Sequence, residues 1–184
     1  MRRLFLGLAL VPLACRKPAR AAADLTGSVD VTWAGAVTGK FTAPGDASWC
    51  GTDSLLEVMA VRHDTGVAFT VLVQDVIRTA QYPVISATVQ ANWRPLGYAA
   101  LRVATDTSLR GYEATSGVIH VTTLVDSAIS GTLDLRLKRT DGPDTAKLRG
   151  TFTKLRIARA RGQCGRLSKV APGTPPAPVK GRPK

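Results

Sequence analysis

Nine basic side chains crowd one short stretch late in the chain. Arg136, Lys138, Arg139, Lys147, Arg149, Lys154, Arg156, Arg159 and Arg161 fall within 26 residues, with only Asp141 and Asp144 against them. The chemistry open to such a set is anion binding. Alternation puts Arg136 and Lys138 on the outside of one strand, and Lys147 and Arg149 on the outside of the next. If those strands are neighbours, the four form a two-row positive face. The competing account is that outward charges keep a sheet soluble and discourage edge pairing.

Other chemistry has fewer residues to draw on. The two histidines are His63, in a turn sequence, and His120, inside an alternating strand pattern. A zinc site needs three or four clustered ligands, so no metal site is expected. The chain has no G-x-S-x-G elbow and no glycine-rich phosphate loop, so no catalytic residue and no cofactor is assigned. Glu57 and Glu113 are the only glutamates, and a carboxylate pair for glycoside cleavage could meet only through the fold.

The net charge of +12 is unevenly placed. Residues 1–23 hold five bases and no acid, and residues 166–184 hold five more and no acid. The body, 24–165, carries fifteen bases and all thirteen acids, a net of only +2. A nucleic-acid-binding domain should carry its charge on the fold, and this distribution argues against nucleic acid as the partner.

The first 23 residues have the layout of an export signal: Arg2-Arg3, then the apolar run from Leu4 to Ala14. That run is too short to span a bilayer as a helix. Two cleavage positions compete. Ala21-Ala22-Ala23 offers a small-residue site before Asp24. Leu13-Ala14-Cys15 resembles the lipobox of bacterial lipoproteins, with Pro12 where that motif prefers an aliphatic residue. The resemblance implies cleavage before Cys15, lipidation of Cys15, and a membrane anchor. The other site implies a periplasmic or secreted protein.

Cysteine usage is read with export in mind. Cys50 in Trp49-Cys50-Gly51 and Cys164 in Gln163-Cys164-Gly165 have matching settings and no metal partners. An oxidising compartment favours a Cys50–Cys164 disulfide, which leaves Cys15 as the odd residue.

The elements that must position these groups read as strands. Ile129, Gly131, Leu133, Leu135 and Leu137 share one parity, and Ser130, Thr132, Asp134, Arg136 and Lys138 the other. With Thr115 to Val125 before it and Asp126-Ser127 between, this makes a central hairpin. Both parities of the first arm are partly apolar, which predicts cover on both sides. Further strands are expected over 25–33, from Val37 to Phe41, over 55–62 and 67–75 about a His63–Gly66 turn, over 85–91, over 99–105 and over 146–156. Loops are expected at 43–46 and 92–97. At Thr153-Lys154 the apolar parity slips by one residue, from Phe152 to Leu155 and Ile157, the mark of a β-bulge. The proline-rich basic segment 166–184 reads as a disordered tail.

The fold class is therefore all-β: one domain, 24–165, of about eight to ten antiparallel strands, a sandwich in preference to a barrel. Thr115-Ser116-Gly117-Val118, Ile129-Ser130-Gly131-Thr132-Leu133 and Gly150-Thr151-Phe152 resemble the strand starts of uncharacterised bacterial envelope lipoproteins of β-sandwich type, which also end in Cys-Gly. That resemblance implies no known activity. Two functional classes follow: an exported, lipid-anchored, non-enzymatic structural or binding protein with an anionic envelope ligand, or a hydrolase of envelope polymers. A cleft with converging carboxylates would mark the second, and a flat or basic face the first.

Overall fold

The computed structural model describes residues 27–159, apart from Gln90 and Asp106. The expected export segment 1–23 and tail 166–184 lie outside the described residues, as do Cys15, Arg161 and Cys164. No helix occurs among the described residues. Nine strands do: β1 (Ser28–Gly35), β2 (Gly39–Cys50), β3 (Leu55–Arg62), β4 (Thr65–Leu72), β5 (Ala80–Ile85), β6 (Leu96–Ala104), β7 (Leu109–Val125), β8 (Ala128–Arg139) and β9 (Thr145–Arg159).

The all-β expectation holds, in one large mixed sheet of nine strands among the described residues. The strands belong to one sheet in the order β1-β2-β3-β4-β6-β5-β7-β8-β9, and β9 pairs back onto β1, so the pairings close in a ring. That is the connectivity of the barrel alternative. The sheet is not purely antiparallel. β2 pairs with β9 in parallel where β1 runs out, and β5 pairs in parallel with β6 at Val84 and Gly97.

Alternation sets what faces in. Ile129, Gly131, Leu133, Leu135 and Leu137 of β8 are all buried, and their neighbours in sequence look outward. Val29, Val31 and Trp33 of β1 do the same, as do Leu148 and Phe152 of β9. Phe69 of β4 and Phe152 of β9 lie on strands that are not neighbours, yet their ring centroids are 5.1 Å apart. The interior there is filled by side chains rather than open. Close filling also explains Gly131, whose added Cβ would strike the His120 carbonyl and the Phe152 ring of its register partner.

The parity slip at Thr153-Lys154 is a bulge. Ile129 faces Leu155 and Gly131 faces Phe152, so β9 spends one residue more than β8 over that interval. Lys154 takes φ 51, and its freed N–H donates to Ser130 Oγ at 2.9 Å. Both Phe152 and Leu155 stay buried as a result. The Asp126-Ser127 turn closes the β7–β8 hairpin, both residues at positive φ, as a tight hairpin turn demands.

Three segments differ from expectation. Ala43 to Asp46 is strand, not loop: Pro44 faces Ser28 at the end of the β1 pairing and Gly45 faces Ala60 at the start of the β3 pairing. The Pro-Gly pair marks where β2 changes partner. The strand placed at 85–91 ends at Ile85, because Ser86 Oγ engages Thr88 and Glu113 and a turn follows. The outer side of β7 is not covered along its length: Thr122 and Leu124 are exposed.

Candidate anion-binding face

The four basic residues singled out from the sequence do meet. Arg136 of β8 is the register partner of Lys147 of β9, and Lys138 faces Thr145 one step along. Arg149 lies two residues beyond Lys147 on the same outer side. The two-row arrangement therefore exists, with modifications that the sequence reading did not anticipate.

The first is Asp134. It is the register partner of Arg149, and it stands between the two β9 cations. Arg149 Nε donates to its Oδ2 at 3.3 Å, and Lys147 Nζ lies 3.6 Å from its Oδ1. All three side chains are about half exposed or more, so the pairs are screened by water. The signal was present: Asp134 shares parity with Arg136 and Lys138.

The second is Lys40. Across the closed ring, Thr32 of β1 faces Arg149 on one side and Lys40 of β2 on the other. Lys40, Lys147 and Arg149 line one groove of about 530 Å³, together with Thr32, Thr38 and the wall formed by Trp33, Ala34 and Gly39. No carboxylate lines it. Arg136 and Lys138 lie outside that lining, on the β8 side of Lys147.

The remaining bases of the cluster separate. Arg139 is committed locally: Nε and Nη2 donate to Asp141, at 2.6 and 3.2 Å, and Nη1 donates to Asp144 at 3.2 Å. These bonds strengthen its hold on its proton, and the same guanidinium keeps the Asp141 carboxyl below its ordinary range. Lys154, Arg156 and Arg159 sit towards the other end of β9, exposed.

His63 is in the β3–β4 turn at φ 54, and His120 lies half-buried on β7. Among the described residues no group of three His, Cys, Asp or Glu side chains could hold a metal ion. Glu57 on β3 and Glu113 on β7 have β4 and β6 between them, roughly 14 Å of sheet. That exceeds the reach of a glycosidase pair. Glu113 accepts instead from Ser86 Oγ at 2.8 Å.

Cys50 ends β2 and is buried, with Sγ 3.4 Å from Thr52 Oγ1 and 3.5 Å from Asp53 Oδ2. Both other cysteines fall outside the described residues, and with them the expected Cys50–Cys164 bridge and the Cys15 lipidation site.

No protein-family model matches the chain, and neither a search of curated proteins nor one of solved structures finds a similar protein.

Proposed function

We propose that the protein is an exported, lipid-anchored and non-enzymatic binding module of the cell envelope, and that it holds an anionic envelope polymer along the Lys40–Lys147–Arg149 groove. One observation carries the reading. Three cations from two strands that β1 separates line one groove, and Asp134, the acid that meets Lys147 and Arg149, stands outside that lining. Point charges spaced along an open groove suit repeated phosphates or carboxylates better than one compact ligand. The envelope address rests on the export layout of residues 1–23 and the lipobox-like Leu13-Ala14-Cys15. With acyl chains on Cys15, Arg16 to Ala23 act as a short tether, its bases near anionic head groups.

The test is retention on immobilised polyphosphate against Lys40→Glu/Lys147→Glu/Arg149→Glu. The native protein should elute at distinctly higher salt than the triple variant, as expected where several charges are neutralised together. Equal elution would remove the groove as a binding site. Mass spectrometry of the mature N-terminus addresses the anchor. A lipid-modified start at Cys15 is expected, and an unmodified start at Asp24 would make the protein periplasmic or secreted.

A further inference from the structure

The outer groove leaves a second hollow unaccounted for. It opens at the end of the ring where the β1–β2 and β3–β4 turns and the end of β6 meet, and it measures about 690 Å³. Trp33, Phe41 and Val103, all buried core residues, form its floor. Arg62, Lys40, His63 and Asp30 stand among the polar residues around it. A pocket with an apolar base and a few placed polar groups is the usual form of a small-molecule site.

Two details narrow the ligand. Arg62 takes part in no salt bridge among the described residues; its one hydrogen bond, from Nη1 to the Thr42 carbonyl, is long at 3.5 Å. Its guanidinium is thus left to face the hollow without an anion. Asp30 is occupied by Thr42, whose Oγ1 donates to its Oδ2 at 2.7 Å, and it sets a negative limit on the charge the mouth can take. The second detail is the floor. The indole N–H of Trp33 is buried and has no hydrogen-bond partner. A buried donor left unmade is costly, and a ligand acceptor would relieve it. The indole lies over Gly39, its cross-strand partner, where any Cβ would collide with the ring. The missing side chain at Gly39 is what lets the ring lie there.

We infer that this mouth binds a small amphipathic monocarboxylate, its apolar body on Trp33, Phe41 and Val103 and its carboxylate towards Arg62. Arg62 and Lys40 against Asp30 leave the rim one net positive charge, which suits a monoanion better than a phosphate dianion. The carboxylate accepts from the Arg62 fork, a geometry that guanidinium favours. The unpartnered N–H of Trp33, in the lining of the same hollow, is a second donor open to the ligand. This mouth adjoins the polymer groove, with Trp33, Thr38 and Lys40 in both linings, but it does not depend on the polymer proposal.

The experiment is isothermal titration of the full-length protein with sodium octanoate below its micelle concentration, alongside octylammonium and inorganic phosphate. Octanoate should bind saturably at one site, and the other two should bind at least about tenfold more weakly, since each lacks the charge or the apolar body. Arg62→Gln should weaken octanoate by about tenfold, the worth of a charge-assisted bond. Trp33→Phe, which keeps a ring but loses the N–H, should weaken it by about fivefold. Lys147→Gln/Arg149→Gln should leave octanoate affinity unchanged. Arg62 is exposed, so its variant tests the idea even if Trp33→Phe fails to fold. The inference is overturned by octylammonium binding as tightly as octanoate, by no saturable octanoate binding, or by Arg62→Gln binding as the native protein does.

Discussion

Asp134 and Arg149 face each other across β8 and β9, and the arginine Nε donates to the carboxylate at 3.3 Å. Because Lys147 reaches the other oxygen at 3.6 Å, one acid offsets part of the charge of two groove cations. Its removal should therefore strengthen polyanion binding while costing little stability. Asp134→Asn is expected to raise affinity for polyphosphate by roughly two- to fivefold at low salt, with the gain fading as salt rises. The change in unfolding free energy should stay within about 0.5 kcal/mol, as for exposed pairs generally. Salt-gradient retention and urea unfolding of the same variant check both halves. Unchanged retention would mean that the β9 cations do not contact the polymer.

Gly131 tests how tightly the interior is filled. The added methyl of Gly131→Ala would meet the His120 carbonyl and the Phe152 ring, both held by the β7–β8–β9 ladder. Neither can retreat without disturbing the Phe69–Phe152 contact or the backbone pairing. The expected loss is about 1–3 kcal/mol, read as a lower urea midpoint. Gly51→Ala is the control, since its Cβ would find only Trp49 Nε1 at an ordinary 3.6 Å. Equal midpoints for the two variants would show that the region around Gly131 relaxes freely.

What could be read from the sequence was whatever one strand decides alone. The alternation of β8 is strict because one side is packed and the other wet, so Leu133, Leu135 and Leu137 pointed inward from the start. The slip at Lys154 was legible for the same reason, since a bulge moves the parity of a single strand. Closure of the ring was not legible. It depends on β1 accepting β9 as well as β2, a pairing between segments about 120 residues apart that no local pattern encodes. Lys40 was missed as a consequence, although its outward parity beside Phe41 was plain. Pro44 misled in another way. A proline is usual at strand ends, and here a strand end falls inside β2, where one partner gives way to the next.

Cys50 is expected to pair with Cys164. The parallel pairing of β2 with β9 puts Trp49 beside Arg159, only five residues of chain before Cys164. Five residues span up to about 17 Å, ample to return to Cys50. Cys15 has a competing use as a lipidated residue if the lipobox-like segment is processed. A bridge between residues 50 and 164 would close a loop of 114 residues, for which the chain-entropy account gives on the order of 4–5 kcal/mol before strain. Non-reducing peptide mapping should find the Cys50–Cys164 peptide. Cys50→Ser and Cys164→Ser should lower the melting temperature equally, and the double variant should add little, because each removes the same bond. Additive losses would mean that the two cysteines act separately.

Tyr82 gives the fold an alkaline limit. It is buried on β5, its hydroxyl donating to the Arg78 carbonyl at 2.7 Å and accepting from the Arg78 N–H at 3.0 Å. Burial pushes the phenol above its ordinary value of 10.0, and the backbone bond and the charge of Arg78 only partly oppose that. The folded state therefore holds the phenolic proton more tightly than the unfolded chain does. The resulting stability is complete below the ordinary tyrosine value and is lost as pH rises through the higher folded one. Tyr82→Phe removes the titration and also the partner of both Arg78 backbone groups, so near neutral pH it should cost about 1–3 kcal/mol. The difference between native protein and variant should then narrow in alkali, as the native protein loses its advantage. Urea midpoints of both proteins near neutrality and well above the ordinary tyrosine range measure this. A gap that stays constant across that range would show that Tyr82 keeps its proton throughout, or that its ionisation does not trouble the folded state.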